Sequence, residues 1–404
     1  MRYDAGVGSK LRYLALAACG GTAFVDMYAT QPLLPILRTK FATNEAAVAA
    51  TISVLTFGCA VAAPLVGPLA DALGRKRVIV CAIFLLALVT YGAAGATSLH
   101  ALLVWRFAQG LLMPAVFAVT LAYAAEEFPP EIGGRAIGAY IGGNVIGGFL
   151  GRYLTAVVAA RADWHVAFVV LGTLNVAGGA FVLVALPPAR RFVRQSSVLG
   201  ALRAIGRFVR DPALLATCVT GGSVLFTLVA AFTFATFLLA APPYDLGTLA
   251  LGNLFFIYLT GAISSPIAGR LIDRLGHRRA LLVALAVSAG GMLVTLIPSL
   301  ATIVVGLALM ATGVFAAQAS SQAYIGVVAR ERRSTAASLY IAVYYVGGGL
   351  GAIVPAPIWT RHGWDGVVGL ILAVQCVAAG LAARFWRRPP APATERVAAD
   401  ALGG

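Results

Sequence analysis

Charge is scarce in this 404-residue chain. Asp, Glu, Lys and Arg together make up 11% of it, hydrophobic residues make up 60%, and the mean hydropathy is +0.90. Soluble domains carry about 25% charge, so a soluble fold is excluded. Acids are the rarer sign, 15 against 30 Lys and Arg. Histidine occurs four times (His100, His165, His277, His362). Each falls at a connection, and none stands beside a Cys or an acid at ligand or catalytic spacing. The five cysteines (Cys19, Cys59, Cys81, Cys218, Cys376) are scattered singly through apolar runs, which suits small buried hydrophobes and neither a disulfide framework nor a metal site. No phosphate-cradling Walker loop is present, so ATP hydrolysis by this chain is not expected, and neither is any other enzymatic activity.

What the chain has in abundance is apolar runs of about 18 residues or more, the length of a membrane-spanning helix. Alternating strands of about 10 residues, the mark of a membrane barrel, are not seen. Twelve helices are predicted, at 12–37, 46–70, 77–97, 100–124, 134–159, 164–186, 212–241, 247–271, 278–298, 301–328, 334–357 and 363–386. The expected fold is therefore an all-α membrane protein. Arg2, Lys10 and Arg12 precede the first run, but that run continues past Asp26 to Leu37, too long for the apolar region of a signal peptide, and reads as a retained first span.

With a cytoplasmic N-terminus and twelve spans, Arg38, Lys40, Arg161 and Arg361 fall outside, Arg106 and Arg152 lie within spans, and every other Lys and Arg is cytoplasmic. The net charge of +15 thus reports membrane orientation and not a nucleic-acid partner. Both termini are expected in the cytoplasm of a bacterium, with the chain in the inner membrane. Residues 1–186 form one six-helix bundle and 212–388 a second. Between them, 187–211 opens with Pro187-Pro188 and carries six arginines. Val198, Leu202, Ile205 and Val209 recur there at helical spacing, which suits an interfacial amphipathic helix; a plain solvated linker is the alternative. Residues 389–404, rich in Pro, Ala and Gly, read as a disordered tail.

The two bundles repeat one another. Gly-Pro-Leu-Ala-Asp-Ala-Leu-Gly-Arg-Lys-Arg at 67–77 returns as Gly-Arg-Leu-Ile-Asp-Arg-Leu-Gly-His-Arg-Arg at 269–279. Ala136, Tyr140, Gly147, Gly148, Leu150 and Gly151 of the fifth span return as Ala336, Tyr340, Gly347, Gly348, Leu350 and Gly351 of the eleventh. Two equivalent bundles about an axis normal to the membrane are a transporter plan, with the site between them.

Three stretches carry a family resemblance. Residues 67–77 resemble the signature of the major facilitator superfamily between its second and third spans. Leu103 to Gly110, with Arg106, Gln109 and Gly110 at the matching positions, resembles the fourth-span motif of its drug/proton antiporters. Gly143-Asn144-Val145-Ile146-Gly147-Gly148 is similar to the fifth-span antiporter motif, with Asn144 where that motif has proline. The pattern is most similar to the arabinose-efflux-like or sugar-efflux-like branch. The resemblance implies two pseudo-symmetric six-helix bundles and alternating access. It also implies that Gly67, Asp71, Gly74 and Arg75, with Gly269, Asp273 and Gly276, latch the inner side. In the family, glycines matching Gly143, Gly147 and Gly148 let spans bend or slide. The run itself reads first as a close-packing surface.

Asp26 is the sole acid in the interior of a span, and an intramembrane carboxylate is a functional candidate by default. Counted along the helix it lies ~21 Å from the inner face, and Arg106 lies ~9 Å from the outer face, so the two sit at similar depth. They are expected to face one another, either as a proton-coupling pair or as a static ion pair. Tyr28, Gln31, Gln109, Asn144, Arg152, Gln318, Gln322, Tyr340 and Tyr344 are the candidate substrate-binding residues, alongside Ser321 and Tyr345; helix–helix hydrogen bonding is the competing role for each. Asp71 is expected at the helix start near Ser334-Thr335 and Asp273 at Gly133-Gly134, each at the positive end of a helix dipole. The favoured function is proton-coupled efflux of a small solute. A proton-coupled importer is the alternative, and a non-transporting sensor the third. The expected partners are the lipid bilayer and a small-molecule substrate, with no nucleic acid, the chain acting as a monomer. No cofactor beyond the proton gradient is expected.

Overall fold

Glycine and proline set where the helices end. The computed structural model describes residues 7–189, 211–329 and 333–386; the amphipathic stretch expected at 198–209 and the tail at 389–404 lie outside the described residues. Among the described residues, ten helices are long and apolar enough to cross a membrane. The remaining two spans are interrupted. The first runs as a helix over Val7–Met27, turns, and resumes as a 3-10 turn at Gln31–Leu33 and a short helix at Leu34–Lys40. The eighth passes from α-helix at Thr248–Asn253 to 3-10 helix at Leu254–Leu259 and back to α-helix at Thr260–Leu275. Among the described residues there is no strand.

The uninterrupted spans are Glu45–Leu73, Arg75–Ala94, Leu99–Glu127, Pro130–Arg161, Trp164–Ala185, Pro212–Ala240, His277–Val294, Leu300–Val328 and Arg333–Ile353. The last, Ala356–Phe385, is kinked at Gly363, whose φ of 56° leaves the helical region; the twelfth span proper therefore starts where the apolar pattern starts. Side chains open several spans: Asn44 accepts from the Ala47 amide, Ser98 from Ala101, and Asp211 from Ala213 and Leu214. Each satisfies an amide that the first helical turn leaves unpaired.

The first span lies along the fifth, the seventh along the eleventh, and the second along the fourth. Glycine permits the first two pairings. A Cβ placed on Gly143, Gly147 or Gly151 would overlap the main-chain carbonyl oxygen of Ala17, Gly21 or Val25. In the second half, Gly347 and Gly351 meet the main chain of Gly222 and Phe226 in the same way. Contacts spaced by four residues on both partners are ridges lying in grooves. Gly142, by contrast, faces open space. The halves meet along the second span against the eleventh and the fifth against the eighth.

Large apolar side chains also point outward, Val184 and Leu88 among them, as an acyl-chain environment requires. Cys19, Cys59 and Cys218 are buried as expected, whereas Cys81 and Cys376 are exposed on this outer surface.

Replacing Gly147 with Leu should wedge the first and fifth spans apart and cost roughly 1–3 kcal/mol. Thermal unfolding in detergent should show the loss, and Gly142→Leu should show none.

Candidate functional site

The break in the first span organises everything around it. Pro32 and Pro35 carry no amide hydrogen, so the carbonyls one turn earlier lose their helical donors. The first span was expected to run on to residue 37. Instead it ends at Met27, and Gln31 turns its amide to the Tyr28 carbonyl at 3.0 Å. The Asp26 carbonyl accepts only a 3.3 Å bond from the Ala29 amide, and Arg106 serves it and its neighbour from the fourth span. Its Nη1 donates to the Asp26 carbonyl and its Nη2 to the Met27 carbonyl, each at 2.7 Å, while Nε donates to the Thr51 carbonyl at 3.1 Å. Thr155 Oγ1 does the same for the Ala29 carbonyl at 2.9 Å. Gln109 orients the guanidinium, accepting from Nη1 at 2.8 Å and donating to Thr90 Oγ1 at 2.7 Å.

Asp26 and Arg106 thus meet as their equal depth suggests, but through the main chain. Among the described residues no ion pair joins them. The Asp26 carboxylate turns the other way and accepts from Asn175 Nδ2 of the sixth span. Its Oδ1 has no hydrogen-bond partner among the described residues. Both side chains are fully buried.

Beyond the break, Gln31 Oε1 accepts from Arg152 Nε at 2.7 Å, and Gln31 Nε2 reaches Thr233 Oγ1 of the other half at 3.4 Å. Arg152 Nη1 donates to the Gly148 carbonyl at 2.5 Å. The guanidinium lies over the Tyr258 ring at 4.0 Å and the Tyr28 ring at 4.5 Å. Ser53 Oγ donates across the halves to the Gly349 carbonyl at 2.8 Å. These contacts close one end of the interface. A cavity of about 370 Å³ lies between that closure and the arginine-rich end, lined by residues of both halves.

Major Facilitator Superfamily is the description of the family whose sequence profile matches residues 16–258 and 224–402. The chain belongs to the major facilitator superfamily. It is 32% identical over 381 residues to the inner membrane transport protein YnfM of Escherichia coli (strain K12), covering 93% of this chain and 90% of that one. It is 30% identical over 380 residues to the MFS-type transporter YybF of Bacillus subtilis (strain 168), covering 94% of each. Among solved structures, an inward-facing, occupied bacterial homologue of the human lysosomal transporter Spinster superposes with a TM-score of 0.75 at 15% identity, covering 95% of this chain and 97% of that one. The nucleoside transporter NupG (D323A mutant) superposes with a TM-score of 0.73 at 15% identity over 93% and 100% of the two chains. These solved structures show the shared fold. The protein is a multi-pass membrane transporter and not an enzyme.

In this transporter, Tyr28, Asn144, Arg152, Gln318, Gln322, Tyr340, Tyr344 and Tyr345 line the cavity. Tyr340 and Tyr344 stack with ring centres 6.0 Å apart. Gln31 and Gln109 do not line it, because their amides are spent on Arg152, Thr233, Arg106 and Thr90. Ser321 is buried outside the lining as well, and so are Asp26 and Arg106. The residues missed were Asn175, Thr155, Tyr258 and Thr233. Asn175 did leave a signal, as the single carboxamide of its apolar span.

At the arginine-rich end, each of the two repeated motifs is helical except at one residue. Gly74 (φ 91°) and Gly276 (φ 77°) each form the whole connection between two spans, a backbone conformation that glycine adopts without strain. Gly67 lies inside a helix that continues to Leu73; like Gly269, it has open space beside its α-carbon. Arg75 grips Glu126 through Nε and Nη2, both at 2.6 Å, and lies 3.7 Å from Asp71. Glu126 is a partner that the motif alone did not reveal. Asp273, in the second copy, is exposed, and among the described residues no hydrogen bond joins it to Gly133 or Gly134. The eleventh span, expected from 334, is helical from Arg333 within the described residues, but the side chains of Ser334 and Thr335 lie outside them.

Arg106→Lys should lower stability by about 1–3 kcal/mol, because one ammonium cannot serve carbonyls on two spans. Thermal unfolding of the purified transporter would read this directly.

Proposed function

We propose that the protein exports a small solute across the bacterial inner membrane in exchange for protons. The two halves rock about the cavity between them, and the arginine-rich end faces the cytoplasm. The observation that carries this reading is the Asp26 carboxylate: wholly buried, held by Asn175 through one oxygen, with the other oxygen unpartnered among the described residues. A carboxylate is expensive to keep charged inside a membrane, so a change in its surroundings can load or unload a proton there. Its own main chain forms the end of the helix that Arg106 secures. Five residues beyond Asp26, the same segment reaches Arg152 at the cavity through Gln31. Proton binding at Asp26 and solute binding in the cavity therefore act on one short piece of backbone.

YnfM, an inner membrane transport protein, supports the location. Alternating access requires two arrangements of similar energy. Here the halves are hydrogen-bonded at the end away from the arginines, through Gln31–Thr233 and Ser53–Gly349. That is the arrangement in which a solute enters from the cytoplasm. On return of the outward arrangement, Asp26 takes a proton from outside and releases it inward.

Everted membrane vesicles, acidified inside by respiration, test the reading. Addition of a transported solute should dissipate the pH gradient, reported by dequenching of an acridine dye. Asp26→Asn should reduce that response to the level of vesicles without the protein. Undiminished gradient-driven transport by Asp26→Asn would overturn the proposal.

A further inference from the structure

Arg152 is a cation without a counterion, placed at the end of the cavity. Of the residues that line the cavity it is the sole ionisable side chain apart from tyrosines. It is 1% exposed, and among the described residues no ion pair includes it. Its partners are an amide oxygen of Gln31, the carbonyl of Gly148 and the faces of Tyr28, Tyr258 and Phe255. All of these are neutral. Its Nη2 has no hydrogen-bond partner among the described residues, and neither do the hydroxyls of Tyr28 and Tyr258, the two rings nearest to the guanidinium.

The charge cannot be relieved in the way a buried lysine relieves its own, because a guanidinium does not give up its proton in a protein. Nor does Asp26 relieve it: that carboxylate is held by Asn175, and the cation next to it is Arg106. A buried, permanently charged group with unused donors is costly unless something of opposite charge joins it. Were Arg152 required only to hold Gln31, a neutral donor would do so without carrying a full charge into the membrane.

We propose that the cavity selects organic monoanions: a carboxylate on a compact apolar or aromatic body. This inference rests on the cavity being the transport site. The carboxylate oxygens take Nη2 of Arg152 and the hydroxyls of Tyr28 and Tyr258, which reach them once one ring turns aside. Tyr258 lies in the 3-10 segment of the eighth span, where the weaker hydrogen-bond geometry makes such a shift easier. Charge balance favours one negative charge over two, since a phosphate dianion would leave the dry site with a net charge. The remaining lining, with Phe24, Phe117, Phe315, Leu225 and Leu228, suits an apolar body. About 370 Å³ places that body in the range of small ligands.

The test is equilibrium binding to the purified full-length protein in detergent, with no gradient present. The probes are benzoate, 3-phenylpropionate and indole-3-acetate, each set against its own primary amide and the corresponding amine. The acids should bind at least about tenfold more tightly than their amides, because an amide leaves the arginine charge unmatched. Arg152→Gln, checked for a monodisperse size-exclusion profile, should bring acid and amide within about twofold of each other. Amides or amines binding as tightly as acids, or no binding by any probe, would overturn the proposal on the wild-type protein alone. A retained acid preference in Arg152→Gln would overturn it too. Proton coupling is decided separately, by the vesicle assay: acid binding without response to a pH gradient would leave this inference standing and remove the other.

Discussion

A lipid-embedded backbone must find hydrogen-bond partners within the protein, and the break after Met27 deprives several carbonyls of theirs at once. The rest of the site follows from meeting that requirement. Arg106 spans two segments because its guanidinium carries enough donors in one plane to reach Asp26, Met27 and Thr51 together. Gln109 and Thr90 fix the orientation of the plane. Thr155 closes the next carbonyl from the fifth span. These bonds tie the interrupted segment to the second, fourth and fifth spans, where its own main chain makes only short turn bonds.

That anchoring gives two distant groups a shared support. The carboxylate of Asp26 points back toward the sixth span, away from the cavity. Gln31, on the other side of the break, holds a cation at the cavity wall and touches the second half through Thr233. The carboxylate and the cavity are separated by packed protein, but the same few residues of main chain carry both. An arrangement with two stable positions of that segment couples the sites without any direct contact between them.

Much of the fold was legible because apolar runs in a membrane leave few alternatives, and the repeat of 67–77 at 269–279 fixed the two-bundle plan. The fifth- and eleventh-span glycines were legible as a packing surface, and main-chain contact at Gly143, Gly147 and Gly151 is what they provide. The site was legible in part. Asp26, Arg106 and Arg152 stood out because a single charge inside an apolar run has few structural excuses. Their pairings did not, since a guanidinium that binds carbonyls leaves no complementary residue type to find. The same reasoning explains Gln31 and Gln109, which share the cavity's chemistry in sequence but are engaged elsewhere in space. Asn175 was overlooked because a lone amide drew less attention than a lone charge.

The glycine contacts between the first and fifth spans have a mechanical consequence. Carbonyls of Ala17, Gly21 and Val25 occupy the notches left by Gly143, Gly147 and Gly151, so the two helices engage like a rack with a pitch of four residues, about 6 Å. Small axial creep is blocked; displacement would have to skip a whole tooth. The depth of the Asp26 carboxylate is thereby indexed to the depth of Arg152.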